Sequence, residues 1–364
     1  MDCEESVKAH PKPAIPIRKM KDIRFIPEWE DIEYVMLALP HAGTDWNYML
    51  TEAIDQYRRL VKAITDEGIK VILLCPDAEE ASEIMSGCRQ DKIRYIRMDY
   101  NDTWTRDYGP LSVIRGGRLR ALDFGFNAWG LKFAADKDNL VNRGLHESGA
   151  MTEGVYRNEM DLVLEGGSVE TDGNGTILTT TRCLRSPNRN GGKTKHELNR
   201  ILAERLGADH VLWLDHGALE GDDTDSHIDT LARMAPDDTI VFTGTRNFDD
   251  PQFETLLAMR AQLTMFRTAE GNAYNLVELP LPDPVTDPDD GSRLPATYAN
   301  YLVANGIIFM PTYGQRDKDE LAMRSIRIAY PEHKVVGVDC RSLLRQHGSL
   351  HCATMQVPAG VFAI

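Results

Sequence analysis

YANYLVANGIIFMPTYG, residues 298–314, reads as two apolar runs joined by Asn305-Gly306. An Asn-Gly pair between apolar runs is a strong short-range signal for a two-residue hairpin turn. A helical pattern follows near 317–329, then the strand-like KVVGVD at 334–339. The same order of hairpin, helix and strand recurs upstream. LVLEGGSVETDGNGTILTT (162–180) turns at DGNG and is followed by GKTKHELNRILAERLG (192–207) and HVLWL (210–214). HIDTLARMAPDDTIVFTG (227–244) turns at PDD, with a helix near 251–264 and NLVELPL at 275–281. LSVIRGGRLRALDFG (111–125) is a further hairpin, turned by Gly116-Gly117. The hairpins begin roughly 65–70 residues apart, a period that marks a radial or stacked repeat.

The ends of the chain supply the fifth unit. Near the N-terminus, YVMLALP (34–40) precedes a helical run ending at Gly68, the strand KVILLCP (70–76) and a second helix in DAEEASEIMSGC. SLHCATMQV at the C-terminus is read as a strand pairing with YVMLALP, which closes a ring and removes exposed sheet edges. The fold expected is α/β, with five ββαβ units in pseudo-fivefold order. Residues 1–24, polar and Pro-rich, form an N-terminal arm, and 25–364 form one catalytic domain.

Bulk composition bounds the function. The chain has 364 residues, 42% hydrophobic, and a formal charge of −15. That charge argues against a nucleic-acid partner, whose phosphates need a basic surface, and suits a cationic small molecule. No apolar run approaches a membrane span and the N-terminus has no signal-like apolar core, so a cytoplasmic protein is expected. The six cysteines, Cys3, Cys75, Cys88, Cys183, Cys340 and Cys352, are scattered without a CxxC pair, as reduced thiols are.

Chemistry-bearing side chains fall at corresponding places in the units. Asp107 in NDTWTRDYGP precedes the first hairpin, and Glu165 in VLEGGS lies in the first strand of the second. His227 and Asp229 open the third, Asn300 the fourth, and Cys352 the fifth. In a ring, equivalent positions meet near the axis, so these residues are expected to line one pocket. His227 and Asp229, two apart on a strand, would share a face. Gly166 and Gly167 would let backbone approach the Glu165 carboxylate. Trp104 offers a flat wall for a delocalised cation.

Each residue has a blander reading. A cysteine taken alone is more often a small buried hydrophobe than a nucleophile. His227 with Asp222, Asp223 and Asp225 is rich enough in ligand atoms to suggest a metal, but EF-hand and zinc spacings are missing, so no metal is expected. His351, next to Cys352, should point to the opposite face of a strand and is rejected as the base. GGKT at 191–194 lacks the rest of a P-loop and is read as a helix start.

Together NDTWTRDYGP, FNAWG, LEGGS…DGNGT, GDDTDSHID, YANYLVANG and GSLHC, with IPEWEDIEYVMLALPH at 26–41, resemble the agmatine deiminase family of the guanidine-modifying (pentein) superfamily. Their order matches the family's over nearly the whole chain, although HGSLHC departs from its usual Gly-Gly-Asn before the cysteine. The resemblance implies a five-bladed propeller and hydrolysis of agmatine to N-carbamoylputrescine and ammonia, without a cofactor. It implies Cys352 as nucleophile, His227 as acid and base, Glu165 as its orienting carboxylate, and Asp107 and Asp229 as guanidinium ligands. Trp104 and Asn300 join the substrate-binding set. Peptidyl-arginine or free-arginine deimination is the alternative enzyme reading. A binding propeller without catalysis and a metallohydrolase are the alternatives from other classes. Oligomeric state stays open, homo-oligomers included.

Overall fold

The structure, a computed structural model, describes residues 22–364. Cys3 and most of the expected arm lie outside the described residues. Ile23–Phe25, at the arm's expected end, is a strand pairing antiparallel with Leu111–Arg115, so Ile23 and Arg24 belong to a sheet.

The described residues form five sheets with one shared rule: the first strand of a unit runs antiparallel to the second, and the second parallel to the third. Leu111–Arg115, Arg118–Gly125 and Tyr156–Val163 are the first trio. Val169–Thr171, Thr176–Thr180 and His210–Leu214 are the second. Ala232–Ala235, Thr239–Gly244 and Asn275–Pro280 are the third. Leu302–Ala304, Ile307–Thr312 and Lys334–Asp339 are the fourth. The fifth joins the chain's ends: Met355–Val357 pairs antiparallel with Tyr34–Ala38, which runs parallel to Lys70–Cys75, with Ile93–Arg97 added outside.

Between second and third strands each unit carries a helix: Val141–Glu147, Lys195–Leu206, Phe253–Met265, Arg316–Ala329 and Leu50–Asp66. A parallel pair needs such a crossover, because a tight turn cannot reverse the chain twice. Local sequence sets the limits of Lys195–Leu206. Thr194 and Glu197 form a reciprocal capping box, and Gly207 ends the helix at φ 75°. The middle strands Tyr34–Ala38, Thr176–Thr180 and Thr239–Gly244 are buried throughout. That is the continuous apolar or small-residue pattern of strands covered on both faces. No helix among the described residues is long and apolar enough to cross a membrane.

The strand assignments fail at the functional ends of the units. SLHCATMQV is a strand only over Met355–Val357. Ser349–Thr354 is a tight turn, in which Ala353 N donates to Ser349 O (3.3 Å) and Thr354 N to His351 O (3.0 Å). His227 is not in a strand but caps the one-turn helix Ile228–Leu231. Glu165 ends an extended segment just before the helical turn Gly166–Ser168, outside the hairpin proper. The physical reason is common to all three: their backbone groups bond locally in turns, which frees side chains to aim inward.

Candidate active site

These turns bring Asp107, Glu165, His227, Asp229, Asn300 and Cys352 into one buried cluster. Asp107 sits on the short helix Thr105–Tyr108. Gly167 is the hub. Its N–H donates to Asp107 Oδ1 at 3.0 Å. A Cβ there would stand 2.7 Å from His227 Nδ1, 2.8 Å from Asp107 Oδ1 and 3.0 Å from Asp229 Oδ2. Only glycine leaves room for those three groups. A Cβ on Gly166 would meet the Arg106 carbonyl oxygen at 2.1 Å, so both glycines permit close approach, as their sequence context suggested.

Cys352 is 7% exposed, and with Asp107 it lines an open cavity of about 450 Å³. Trp104 and Trp129 form aromatic walls, and Asp45, Asp102, Asp223 and His347 lie further along the lining. No lysine or arginine is among the described lining residues. The Cys352 thiol lies 3.4 Å from Asn300 Oδ1 and 3.9 Å from Asp229 Oδ2. Asn300 itself is fully buried. Its Nδ2 donates to Asp229 Oδ2 at 3.2 Å, and its Oδ1 accepts the His351 N–H at 3.0 Å. Its amide therefore holds the aspartate and the cysteine turn in place.

Three buried polar atoms here have no protein partner: His227 Nδ1, His227 Nε2 and Asp229 Oδ1. His227 Nδ1 is 3.6 Å from Asp107 Oδ1, and Nε2 is 3.8 Å from Glu165 Oε2. Both separations exceed a direct hydrogen bond, so the carboxylates act on the imidazole through their charge. Burial pulls the His227 pKa down, but Asp107, Cys183 and Glu165 together outweigh it and leave the imidazole well above its usual value. Burial, the Asp229 charge and the Asp107 charge hold the Cys352 thiol well above the range of a free thiol. Burial also pushes Asp107 up to about 6, against the pull of His227.

Sequence reading missed three partners. Arg189 Nε donates to both oxygens of Glu165, at 2.7 and 2.9 Å, and its Nη1 reaches Asp225 at 2.6 Å. Glu165 thus bonds directly to Arg189, with His227 Nε2 standing off at 3.8 Å where a bond was expected. Burial raises the Glu165 carboxyl, while His227 and Arg189 lower it to a net value below normal. Trp129 Nε1 donates to Asp107 Oδ2 at 2.9 Å. It lies in a run of left-handed residues, with φ 49° at Ala128, 55° at Trp129, 89° at Gly130 and 69° at Leu131. His351, expected to face away, is wholly buried with Nδ1 2.7 Å from Asp229 Oδ2. Trp129 and Arg189 fall in FNAWG and NRN, stretches whose backbone oddity (Gly, Asn) was the only signal available.

Two sets of donors that could take a metal have ligand atoms within 4.8 Å of one another, Glu165, Cys183 and His227, and Glu28, Glu170 and His351. In the second, Arg233 pairs with both glutamates. Arg189 already occupies both oxygens of Glu165. In the oxygen-rich GDDTDSHID stretch, Asp222 and Asp225 spend their carboxylates on protein donors. Asp222 takes Thr224 and Ser226 N–H groups, and Asp225 takes Arg189 and Lys132.

The family model of Porphyromonas-type peptidyl-arginine deiminases matches residues 24–358. Agmatine deiminase of Stutzerimonas stutzeri is 33% identical over 354 residues, covering 91% of this chain and 94% of that one. A cysteine-to-serine variant of C. jejuni agmatine deiminase with substrate bound superposes with a TM-score of 0.85 at 38% identity, over 93% of this chain and 97% of that one. A provisionally assigned arginine deiminase from Porphyromonas gingivalis superposes with a TM-score of 0.87 at 43% identity, over 93% and 99%.

Proposed function

Because the chain belongs to the Porphyromonas-type peptidyl-arginine deiminase family, we propose that it is an agmatine deiminase, a hydrolase of the guanidinium C–N bond. Its five sheets would be the five blades of a propeller with pseudo-fivefold symmetry, and residues 25–364 one catalytic domain. The observation that carries the function is the set of unpartnered atoms around Cys352. Buried polar groups are almost always hydrogen-bonded, so orphaned atoms on His227 and Asp229, directly behind the cavity-lining Asp107 and Cys352, mark a place for a ligand.

A guanidinium supplies the donor that Asp229 Oδ1 lacks, and the His227 nitrogens are left for proton transfer. Asp107 and Asp229 would grip it by charge-assisted hydrogen bonds and orient its central carbon toward Cys352. The same binding event switches the nucleophile. In the free site burial and the two aspartates raise the thiol's pKa; a bound cation cancels the aspartates' field and favours the thiolate, whose proton leaves to solvent. The thiolate attacks the carbon, forming a C–S bond and a tetrahedral adduct. His227, protonated in the free site, passes a proton to the departing nitrogen. Ammonia leaves with the C–N bonding pair, and a thiouronium remains on Cys352. His227, now neutral, takes a proton from water as the hydroxyl adds to that carbon. Collapse expels the thiolate as the adduct's hydroxyl gives its proton to solvent, where it ends on the ammonia released, and the ureido product leaves. Glu165, held by Arg189, would sustain the His227 imidazolium by charge. Asn300 is assigned a positioning role for Asp229 and Cys352, and Trp104 one of covering the substrate.

Agmatine is favoured over a substrate with a carboxylate by the cavity lining, where Asp45, Asp102 and Asp223 accompany Asp107. A terminal ammonium suits that wall and an α-carboxylate does not. Free or peptidyl arginine is the second reading, carried by the 43% identity to the Porphyromonas gingivalis protein. A cytoplasmic location agrees with the reduced cysteines and acidic surface. The deciding assay measures ureido product and ammonia from agmatine, arginine and a peptidyl-arginine, compared by kcat/KM. Preference for either arginine substrate, or no turnover of any, refutes the agmatine assignment.

A further inference from the structure

His351 adjoins the nucleophile, yet the reaction above gives it no task. Its side chain is wholly buried and every edge of it is engaged. Nδ1 lies 2.7 Å from Asp229 Oδ2. Nε2 lies 2.8 and 3.0 Å from the two oxygens of Glu28 and 3.1 Å from Arg233 Nη2. A carboxylate oxygen without a proton only accepts, so a hydrogen on Nδ1 lies toward Asp229, as one on Nε2 lies toward Glu28.

The groups beyond the ring are fixed in turn. Arg106 Nη1 reaches Glu28 at 2.9 Å, and Gln356 Nε2 donates to Glu28 at 2.9 Å. Arg233 pairs with Glu28 and Glu170 and donates from Nη1 to the carbonyls of Tyr301 (2.7 Å) and Ala299 (3.1 Å). The charged groups facing His351 from all packed elements are therefore Asp229, Glu28, Arg106 and Arg233, with Glu170 behind Arg233. His227 and Asp107 lie on the far side of Asp229. With Oδ2 taken by His351 and Asn300, only Asp229 Oδ1 is left unpartnered.

We propose that His351 is a positioning residue, whose Nδ1–H fixes Asp229 Oδ2, keeps that carboxylate ionised and leaves Oδ1 directed at the substrate cation. Glu28 and Arg233 clamp the opposite edge of the ring and stop it from turning or exchanging tautomers. This inference rests on the reading of Asp229 as a guanidinium ligand. It does not rest on which guanidinium compound is the substrate.

Two near-isosteres separate this role from packing. In His351→Asn the amide nitrogen falls near the position of Nδ1, so the donor to Asp229 is kept and the link to Glu28 is lost. In His351→Gln the amide falls near Nε2, so the link to Glu28 is kept and the donor to Asp229 is lost. His351→Gln should lose roughly 10- to 100-fold in kcat/KM, the range for a hydrogen bond to a charged group. Its acid limb should move to higher pH, because a carboxylate deprived of a donor protonates more readily. His351→Asn should stay within about tenfold of wild type with its acid limb unmoved. Equal loss in both variants with unmoved limbs, or a worse result for Asn than for Gln, overturns the proposal.

A second measurement needs no turnover. Nitrogen-15 NMR of histidine-labelled wild-type protein should show a buried Nδ1–H signal that His351→Gln removes. An Nε2–H-only tautomer for His351 overturns the proposal whatever the activity. Wild type inactive on all guanidinium substrates, but showing the Nδ1–H signal, would refute the functional reading while leaving the His351–Asp229 contact standing. If neither variant folds, the tautomer of the wild-type ring decides alone.

Discussion

Two buried polar clusters meet at Asp229, and they are built on opposite terms. On one side His227, Asp107 and Asp229 leave three polar atoms without partners. On the other, the His351 ring, Glu28, Arg106, Arg233 and Gln356 are bonded edge to edge. An unpaired buried polar group costs about 1–3 kcal/mol, so a fold tolerates several together only where a ligand supplies the missing bonds. The saturated cluster has the complementary role of holding fixed the carboxylate that the open cluster exposes. If this contrast is right, damage to the open cluster should remove turnover and leave the fold, whereas damage to the saturated one should disturb both.

The largest expected effect is on the open side. Cys352→Ser should lower kcat by at least about 10³-fold, as loss of a nucleophile does, with unchanged thermal unfolding and retained binding of the guanidinium substrate. Turnover within about tenfold of wild type would mean that no covalent step passes through this residue. Asp229→Asn and Asp107→Asn come next, each lowering kcat/KM by roughly 10²- to 10³-fold, since each removes one charge-assisted bond that orients the cation. Near-normal steady-state kinetics in both would move the guanidinium elsewhere.

Arg189 tests the boundary between the two kinds of cluster. It is buried with Glu165 at zero side-chain exposure for both. Arg189→Met leaves Glu165 buried without its cation, which should cost on the order of 3–5 kcal/mol of stability. Chemical denaturation would read that loss directly. Glu165 would then protonate more readily and support His227 less, so kcat should fall too. A variant as stable as wild type would show that Glu165 finds another partner, and would break the division drawn between open and saturated sides.

How much of this was legible in the sequence follows from the range of the interactions. The hairpins were readable because their turns are local. Asn305 at φ 48° and Gly306 at φ 76° adopt the left-handed pair that Asn-Gly favours, and Gly116 and Gly117 do likewise at 55° and 71°. The repeat then placed Asp107, Glu165, His227, Asp229 and Cys352 together before any contact was seen. What stayed hidden was the backbone immediately around them. A strand alternation assigned to His351 and Cys352 put the histidine on the wrong face, because a tight turn has no period of two. Glu28 and His351, 323 positions apart, carry no local pattern that announces their pairing. Arg189 drew no reading at all, since nothing nearby says that its guanidinium reaches back 24 positions to Glu165.

The smallest effect belongs to Trp129, and it sharpens the comparison most. Its indole N–H gives Asp107 one bond from the protein, and that bond favours the ionised carboxylate, opposing the burial that raises Asp107 to about 6. Trp129→Phe keeps the ring against the cavity and removes only the donor. Asp107 should then protonate at a higher pH than in wild type. Substrate binding needs the carboxylate, which is lost as pH falls through this pKa, so the acid limb of kcat/KM should move upward. At pH 8, where Asp107 is ionised in both proteins, the variant should lie within several-fold of wild type, the cost of one hydrogen bond that the substrate partly replaces. A uniform loss at all pH values with an unmoved limb would show that the indole shapes the wall without governing the charge of Asp107. Asp107 would then owe its ionisation to His227 and the Gly167 N–H, and the open cluster would be more open than drawn.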